Sequence, residues 1–215
     1  MRRSCAQDAV RDVLDLMATY TVMAVGLVAA IIANRNYGQE LNNISRESSA
    51  GLSLGAYFLG KALAELPLMV VYSFLYCVAY WCIASPASEF GDFYLVLLLF
   101  EFVLFGIGYV STFLFRGENA LLCSAISALL GGLATNNDGF IKSLCWARWA
   151  AEALFISEAR LDQLTPPVDE TVRAYIENRS KFDTDNYGND ILALVIMGAV
   201  LRLMAFGLMF LKYKQ

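Results

Sequence analysis

The sequence predicts an all-α integral membrane protein with about five transmembrane helices, a cytoplasmic helix after the first span and a long external loop before the last. Of its 215 residues, 58% are hydrophobic and 17% are charged, which is more apolar surface than a soluble domain of this length can bury. Several apolar runs are about 18 to 25 residues long, which is enough to cross a hydrocarbon layer of about 30 Å as a helix. Lipid offers no hydrogen-bond partner to an open backbone, so these runs must be helical.

Four of the apolar runs are long enough to cross the bilayer, and they cover residues 16–33, 66–84, 93–115 and 191–211. A fifth run, 120–134, is short and ends at Gly131 and Gly132. A short span with glycines at its end is typical of a broken or re-entrant helix. The fourth of the five predicted spans, in chain order, is therefore expected to cross the bilayer only in part.

The distribution of positive charge orients these spans, because Lys and Arg favour cytoplasmic loops. Such residues lie between the first and second runs, between the third and fourth, and after the last: Arg35, Arg46, Lys61, Arg116, Lys212 and Lys214. The loop 136–190 is then external. It contains Asn178-Arg179-Ser180, a glycosylation sequon, and Asn178 is the predicted acceptor.

The amino terminus conflicts with this orientation. An odd number of spans that ends in the cytoplasm leaves Arg2, Arg3 and Arg11 outside, where positive charge is disfavoured. One preceding span would remove the conflict. We therefore expect the chain to be the C-terminal portion of a longer membrane domain.

Composition removes several classes of function. The chain has no histidine, which excludes Ser-His and Cys-His nucleophilic arrangements and the commonest zinc ligand. The five cysteines follow no CxxC spacing, so neither a metal site nor a disulfide framework is predicted. The formal net charge of −4 gives no basic surface for nucleic acid, and the predicted partner is the lipid bilayer. No catalytic residue and no metal ligand is assigned.

The segment 45–64 reads as a cytoplasmic helix that runs into the second span. Ser45 can cap it, Glu47 lies in its first turn, and Pro67 follows near the start of the span. Its apolar positions follow helical spacing and predict one apolar face: Leu52, Ala56, Leu59 and Leu63. From the residues alone, an interfacial amphipathic helix that anchors on the bilayer surface is the competing interpretation.

Three motifs carry a resemblance to a known family. One motif covers residues 46–67, where residues 46–51 read RESSAG and residues 56–67 read AYFLGKALAELP. Tyr37-Gly38-Gln39-Glu40 precedes it, and the run ARWAAEAL starts at Ala147. In this order and spacing the sequence resembles the G subfamily of ABC transporters, over most of the chain from about residue 20 to residue 214. The resemblance implies that residues 1–215 form a type-2 ABC membrane domain.

The family pattern implies roles for particular residues. Arg46, Glu47 and Ser48 would belong to a coupling helix that contacts a nucleotide-binding domain. Leu129, Leu130 and Leu133 would form the plug between the substrate cavity and the exit, although leucines in a span more often pack or face lipid. The family also implies a second membrane half, a hydrophobic or amphipathic cargo such as a lipid, sterol or xenobiotic, and a plasma-membrane location.

ATP and Mg²⁺ would bind to a nucleotide-binding domain that this chain does not contain. Residues 55–61 fit the G-x4-G-K start of a phosphate-binding loop, but Ala62 stands where Ser or Thr must hold Mg²⁺. The interior positions are bulky and apolar on a helical pattern. We therefore reject this motif and predict that the chain is not itself an enzyme.

Two charged residues lie within predicted spans. Glu101 and Arg202 are about eight and eleven residues from the outer ends of their spans, so their depths differ by only about 5 Å at 1.5 Å per residue. They form a candidate intramembrane pair, with a structural polar contact as the alternative to a substrate contact. A secondary transporter or channel that uses this pair, and a truncated homologue that regulates a full transporter without pumping, are the rival functions.

Overall fold

The computed structural model describes residues 2–38, 50–84, 88–115, 118–133, 145–159 and 187–213, together with Glu40, 43–44 and 46–47. Side chains are described for these residues except 2–17, 37, 118, 130–133 and 158–159. The described residues form six long helices and no strand, which confirms the all-α prediction. The helices are α1 (Arg2–Gly38), α2 (Leu54–Ala84), α3 (Phe90–Leu114), α4 (Glu118–Leu133), α5 (Trp146–Ala159) and α6 (Tyr187–Tyr213).

Four of these helices are long and apolar enough to cross a membrane, at Ala18–Asn36, Leu54–Ala84, Phe90–Leu114 and Tyr187–Tyr213. They correspond to the four long runs of the sequence. Helix α4 has 16 residues, or about 24 Å at 1.5 Å per residue, which is less than the thickness of the hydrocarbon layer. The structure therefore agrees with the prediction that the fourth of the five spans is shorter than the others.

Helix α3 is the centre of the bundle and packs against each of the other five helices. About two thirds of its span is buried, whereas only 17% of the span in α2 and in α6 is buried. Small residues allow α3 and its neighbouring helices to pack closely. A Cβ atom added at Gly108 would lie 2.4 Å from Ala33 Cβ of α1, so these two backbones approach as only glycine permits.

Helix α2 corrects the predicted start and face of the cytoplasmic helix. It begins at Leu54 rather than near Ser45, because Ser53 caps it: the Ser53 carbonyl accepts from Tyr57 N at 3.0 Å and the Ser53 hydroxyl accepts from Ala56 N at 3.5 Å. The helix then continues through Pro67 without a break. Residues 55–61 are thus helical, as expected for a sequence that is not a phosphate-binding loop.

The apolar face predicted for this helix is exposed, and a different face is buried. Leu59 and Leu63 are more than 60% exposed. The buried positions are spaced by four or by seven residues and form a different stripe: Leu54, Phe58, Glu65, Met69, Ser73 and Cys77. In a membrane the outward face is covered by lipid, so hydrophobicity alone does not identify the packed side.

Helix α5 lies within the segment 136–190, which the sequence predicts to be an external loop. Every residue from 150 to 157 is buried, and the helix packs against α1, α3 and α6. Small residues on two sides permit this close packing: Ala147, Ala150, Ala151 and Ala153. Arg148 and Glu152 carry opposite charges, and their side chains pair one turn apart at 3.2 Å.

Candidate functional site

The connection between α1 and α2 contains a sharp helix end. Arg46 and Glu47 are helical and exposed, and the Glu47 carbonyl accepts from Ala50 N at 3.0 Å and from Leu52 N at 3.1 Å. Gly51 has φ 96°. This pattern, with a left-handed glycine just after the helix end, is the Schellman motif. The short helix that carries Arg46 and Glu47 is therefore separated from α2 by Gly51 to Ser53.

A polar junction ties the end of α1 to the first turns of α2. Lys61 Nζ lies 2.5 Å from Glu40 Oε2, and the Tyr57 hydroxyl donates to the same carboxylate. These two hydrogen bonds hold the pKa of Glu40 below its ordinary value. The junction joins two of the motifs in the sequence, because Glu40 ends the first and Tyr57 and Lys61 belong to the second.

A cavity of about 590 Å³ adjoins this junction on the side of α1 and α2. Arg35, Asn36 and Glu65 line it together with Glu40 and Lys61. Glu65 is only 4% exposed, and the polar side chains of Asn36 and Lys61 lie beside its carboxylate. Both signs of charge therefore converge on one opening beside the connection that holds Arg46 and Glu47.

Arg202 lies inside the bundle, where α6 crosses α3. Its Nη1 donates to the Phe102 carbonyl at 2.5 Å, its guanidinium lies 3.5 Å from the centre of the Phe102 ring, and its Nη2 is 3.7 Å from Met69 Sδ. Its positive charge acts on Glu65 of α2. Arg202 therefore joins three helices through backbone, aromatic and sulfur contacts.

Glu101 has other neighbours than Arg202. It is 5% exposed, it faces α1 and α2, and Ser73 of α2 lies near its carboxyl group. The described contacts of Glu101 and Arg202 do not include one another, so the predicted pair is not formed in this arrangement. The two charges lie at similar depth but on different sides of α3. Phe102, the residue next to Glu101, faces α6 and contacts Arg202, whereas Glu101 faces α1 and α2.

A buried polar network was missed by the sequence analysis. Asn34 of α1 accepts from the Thr112 hydroxyl of α3 at 2.9 Å and donates to the Ser124 hydroxyl of α4. All three residues are at most 5% exposed. These residues lie in or beside apolar runs, and the partners of Asn34 are 78 and 90 residues away in sequence. No local pattern distinguishes Asn34, because it adjoins the polar residues Arg35 and Asn36.

The remaining predicted residues are described only in part. Leu129 is 39% exposed, and Leu130 and Leu133 lie in α4 with side chains outside the described set. Ser48 and Asn178 lie outside the described residues. The plug, the full coupling segment and the glycosylation site therefore stay predictions.

A helical bundle with buried charges and a polar junction at one end of its spans is typical of the membrane domains of transport proteins. Residues 9–215 match the family model described as "ABC-2 type transporter". The chain belongs to this family.

The similar proteins are ABC transporters. ABC transporter G family member 25 of Oryza sativa subsp. japonica is 32% identical over 189 residues, which cover 86% of this chain and 18% of that protein. ABC transporter G family member 28 of Arabidopsis thaliana is 34% identical over 66% of this chain and 13% of its own length. The ABC-type transporter claG of Penicillium crustosum is 28% identical over 68% of this chain and 20% of its own length. The chain thus spans a fifth or less of the length of these relatives.

Proposed function

We propose that this chain is the membrane-spanning part of an ATP-driven exporter that moves hydrophobic or amphipathic molecules across the plasma membrane. ATP and Mg²⁺ bind to a nucleotide-binding domain outside these 215 residues, and a second membrane half completes the path. The relatives support this proposal because they are ABC transporters that match along most of the chain. The single structural observation that carries it is the polar junction of Glu40, Tyr57 and Lys61 beside the exposed Arg46 and Glu47.

The junction suggests how a movement on the cytoplasmic side is transmitted to the transmembrane helices α1 and α2. Arg46 and Glu47 project from a short helix whose end is fixed by Gly51. Helix α2 begins three residues later, at Leu54, and its Lys61 and Tyr57 side chains bind Glu40 just after the end of α1. Movement of the short helix therefore acts on α1 and α2 together. A rigid coupling of two spans is what alternating access requires.

Helix α2 is suited to transmit such a movement. It has 31 residues without interruption, or about 46 Å at 1.5 Å per residue, so it continues well beyond a hydrocarbon layer of about 30 Å. Only 17% of its span is buried against the rest of the chain. Helix α2 thus packs against the rest of the chain mainly along one face, so a tilt of this helix breaks few contacts.

The test is ATP-dependent export by the protein isolated from its native membrane together with whatever nucleotide-binding domain accompanies it. We expect vanadate-sensitive ATPase activity and ATP-dependent accumulation of a fluorescent phospholipid in inside-out vesicles. The double variant Arg46→Ala/Glu47→Ala keeps ATP hydrolysis but loses export, because the contact that couples them is removed. Glu89→Ala is the matched control, since Glu89 is an exposed acid at the opposite end of the bundle.

Two results would overturn the proposal. If no nucleotide-binding domain accompanies the chain, on the same polypeptide or as a partner, the regulatory homologue becomes the better interpretation. If substrate uptake follows an ion gradient without ATP and depends on Glu101 or Arg202, the secondary transporter takes its place.

A further inference from the structure

Glu101 lies deep in the bundle with one oxygen unsatisfied. The residue is 5% exposed, and its Oε2 atom has no hydrogen-bond partner among the described residues. A carboxylate within a membrane is retained against a high cost in free energy, and it usually faces a partner or a cavity. Arg202 is not that partner, because its described contacts lie elsewhere.

The side chain of Glu101 borders a cavity of about 380 Å³ between α1 and α2. The walls are apolar or aromatic, with Val28 and Ile32 of α1 and Tyr72, Leu75 and Tyr76 of α2. Glu101 is the one charged residue among the described residues that line it. Ligand pockets of about 300 to 1,000 Å³ with apolar walls and few polar groups are typical of sites for drug-sized molecules.

The cavity opens sideways towards the bilayer. Val28 and Leu75 line it from the two flanking helices, and each is almost 60% exposed. The polar cavity at the cytoplasmic junction is a neighbour, since Ile32 and Tyr72 line both. A molecule dissolved in the bilayer therefore reaches Glu101 between α1 and α2 without entering from water.

We propose that this cavity is a binding site for a hydrophobic amine, with its ammonium group on the Glu101 carboxylate and its apolar body between α1 and α2. An ammonium supplies several donors and neutralises the buried charge, whereas a hydrocarbon leaves Oε2 unpaired and an anion is repelled. Tyr72 and Tyr76 add aromatic rings to the same walls, which favour cations. The site is separate from Arg46 and Glu47 and does not depend on ATP.

The test uses two fluorescent probes that differ in one group. Dansylcadaverine carries a primary amine on an apolar fluorescent body, and N-pentyl dansylamide is the same body without the amine. The protein isolated from its native membrane is placed in nanodiscs of neutral phospholipid, and binding is followed by the probe's fluorescence without nucleotide. We expect saturable binding of the amine that is about tenfold or more weaker in Glu101→Gln, because a charge-assisted hydrogen bond is lost. Binding of the neutral probe stays unchanged.

A second variant keeps the test valid if Glu101→Gln does not fold. Leu75→Trp fills the cavity from an exposed position and should abolish binding of dansylcadaverine while the carboxylate remains. Leu203→Trp is its control, because Leu203 is 69% exposed on α6 and does not line the cavity. Glu65→Gln, a buried carboxylate of the neighbouring cavity, should leave binding unchanged.

Several results would refute the proposal. Equal affinity of both probes would show simple partition into lipid, and an unchanged affinity in Glu101→Gln or Leu75→Trp would place the amine elsewhere. If the isolated protein excludes the amine because another transmembrane helix bonds to Glu101, the cavity is a helix contact. None of these outcomes affects ATP-driven export, which is measured separately.

Discussion

Glu40 is held by two donors, and its charge should make stability depend on pH in the acid range. Lys61 and Tyr57 donate to it and lower its pKa. A depressed folded pKa adds stability that is present above the ordinary value of 4.5 and is lost as pH falls through the lowered value. The Glu40 side chain is 43% exposed, so solvent limits the contribution to about 1 kcal/mol or less.

We therefore expect Glu40→Gln to unfold at a lower temperature than the wild-type protein at pH 7. The difference should close when the pH is lowered through the range in which Glu40 gains its proton. Thermal unfolding of the detergent-solubilised protein at a series of pH values measures this. Tyr57→Phe removes one of the two donors and should have a smaller effect. A gap of the same size at acid and neutral pH would contradict the assigned role of the charge.

Asn34 should stabilise the bundle through its bonds to two other helices. The variant Asn34→Leu loses the contacts with Thr112 and Ser124, but both hydroxyls keep backbone acceptors, Gly108 O and Leu121 O. Side-chain hydrogen bonds between helices in membranes contribute about 0.6 kcal/mol each on average. We expect a loss of about 1 kcal/mol in the free energy of unfolding.

The loss is measured by unfolding in a denaturing detergent. Asn119→Leu is the control because Asn119 is exposed near the start of α4. Equal stability of the Asn34 variant and the wild-type protein would show that water or lipid replaces the network.

At the scale of the helices, close packing at glycine should set the position of α1 on α3. A Cβ at Gly108 would lie 2.4 Å from Ala33 Cβ and 3.4 Å from Ala33 backbone atoms. Neither neighbour is a flexible side chain, so Gly108→Ala must shift a helix. Overpacking of this kind destabilises by about 1 to 3 kcal/mol.

Gly207 provides the matched control, because a Cβ added there meets nothing within 4 Å. Gly207→Ala should be neutral or stabilise α6 by up to about 1 kcal/mol, since alanine favours the helix. Comparison of the two variants in the same unfolding assay separates contact from propensity. A Gly108→Ala variant as stable as Gly207→Ala would show that α1 and α3 do not approach this closely.

The helices also show how far the sequence predicts the structure. Hydropathy located the four long spans, because only length and apolar content are needed. It did not reveal α5, where Arg148 and Glu152 pair within one turn, or the packed face of α2, where lipid accepts Leu59 and Leu63 as readily as the core does. The sequence likewise predicts only part of the candidate site. Local motifs pointed to Arg46 and Glu47, whose coupling role stays a prediction, whereas the contact of Glu40 with Lys61 required the fold.

At the scale of the whole molecule, two helices have large apolar surfaces outside the core. Only 17% of the span in α2 and in α6 is buried, and exposed leucines, valines and phenylalanines cover their outer faces. The central α3 lies between them and packs against both. The bundle is therefore closed around α3 but open at its two flanks, which lipid or a second membrane half must cover.

The orientation of this bundle in the membrane is the prediction on which the coupling mechanism depends. In a background without native cysteines, Glu89→Cys places an exposed thiol before α3, and Asn43→Cys places one between α1 and α2. A maleimide that does not cross membranes should label Glu89→Cys in intact cells and Asn43→Cys only after permeabilisation. The positive charges around Asn43 favour this side.

Glycosylation gives an independent measure of the same orientation. Asn178 and Asn43 both occupy sequons, but only the external one meets the glycosylation machinery. Removal of glycans by an endoglycosidase should change the mobility of the wild-type protein and of Asn43→Gln, but not of Asn178→Gln. If Asn43 carried the glycan and its cysteine were labelled from outside, Arg46 and Glu47 would face away from any cytoplasmic ATPase. The junction of Glu40, Tyr57 and Lys61 would then be a structural contact on the external side, with no part in coupling ATP hydrolysis to transport.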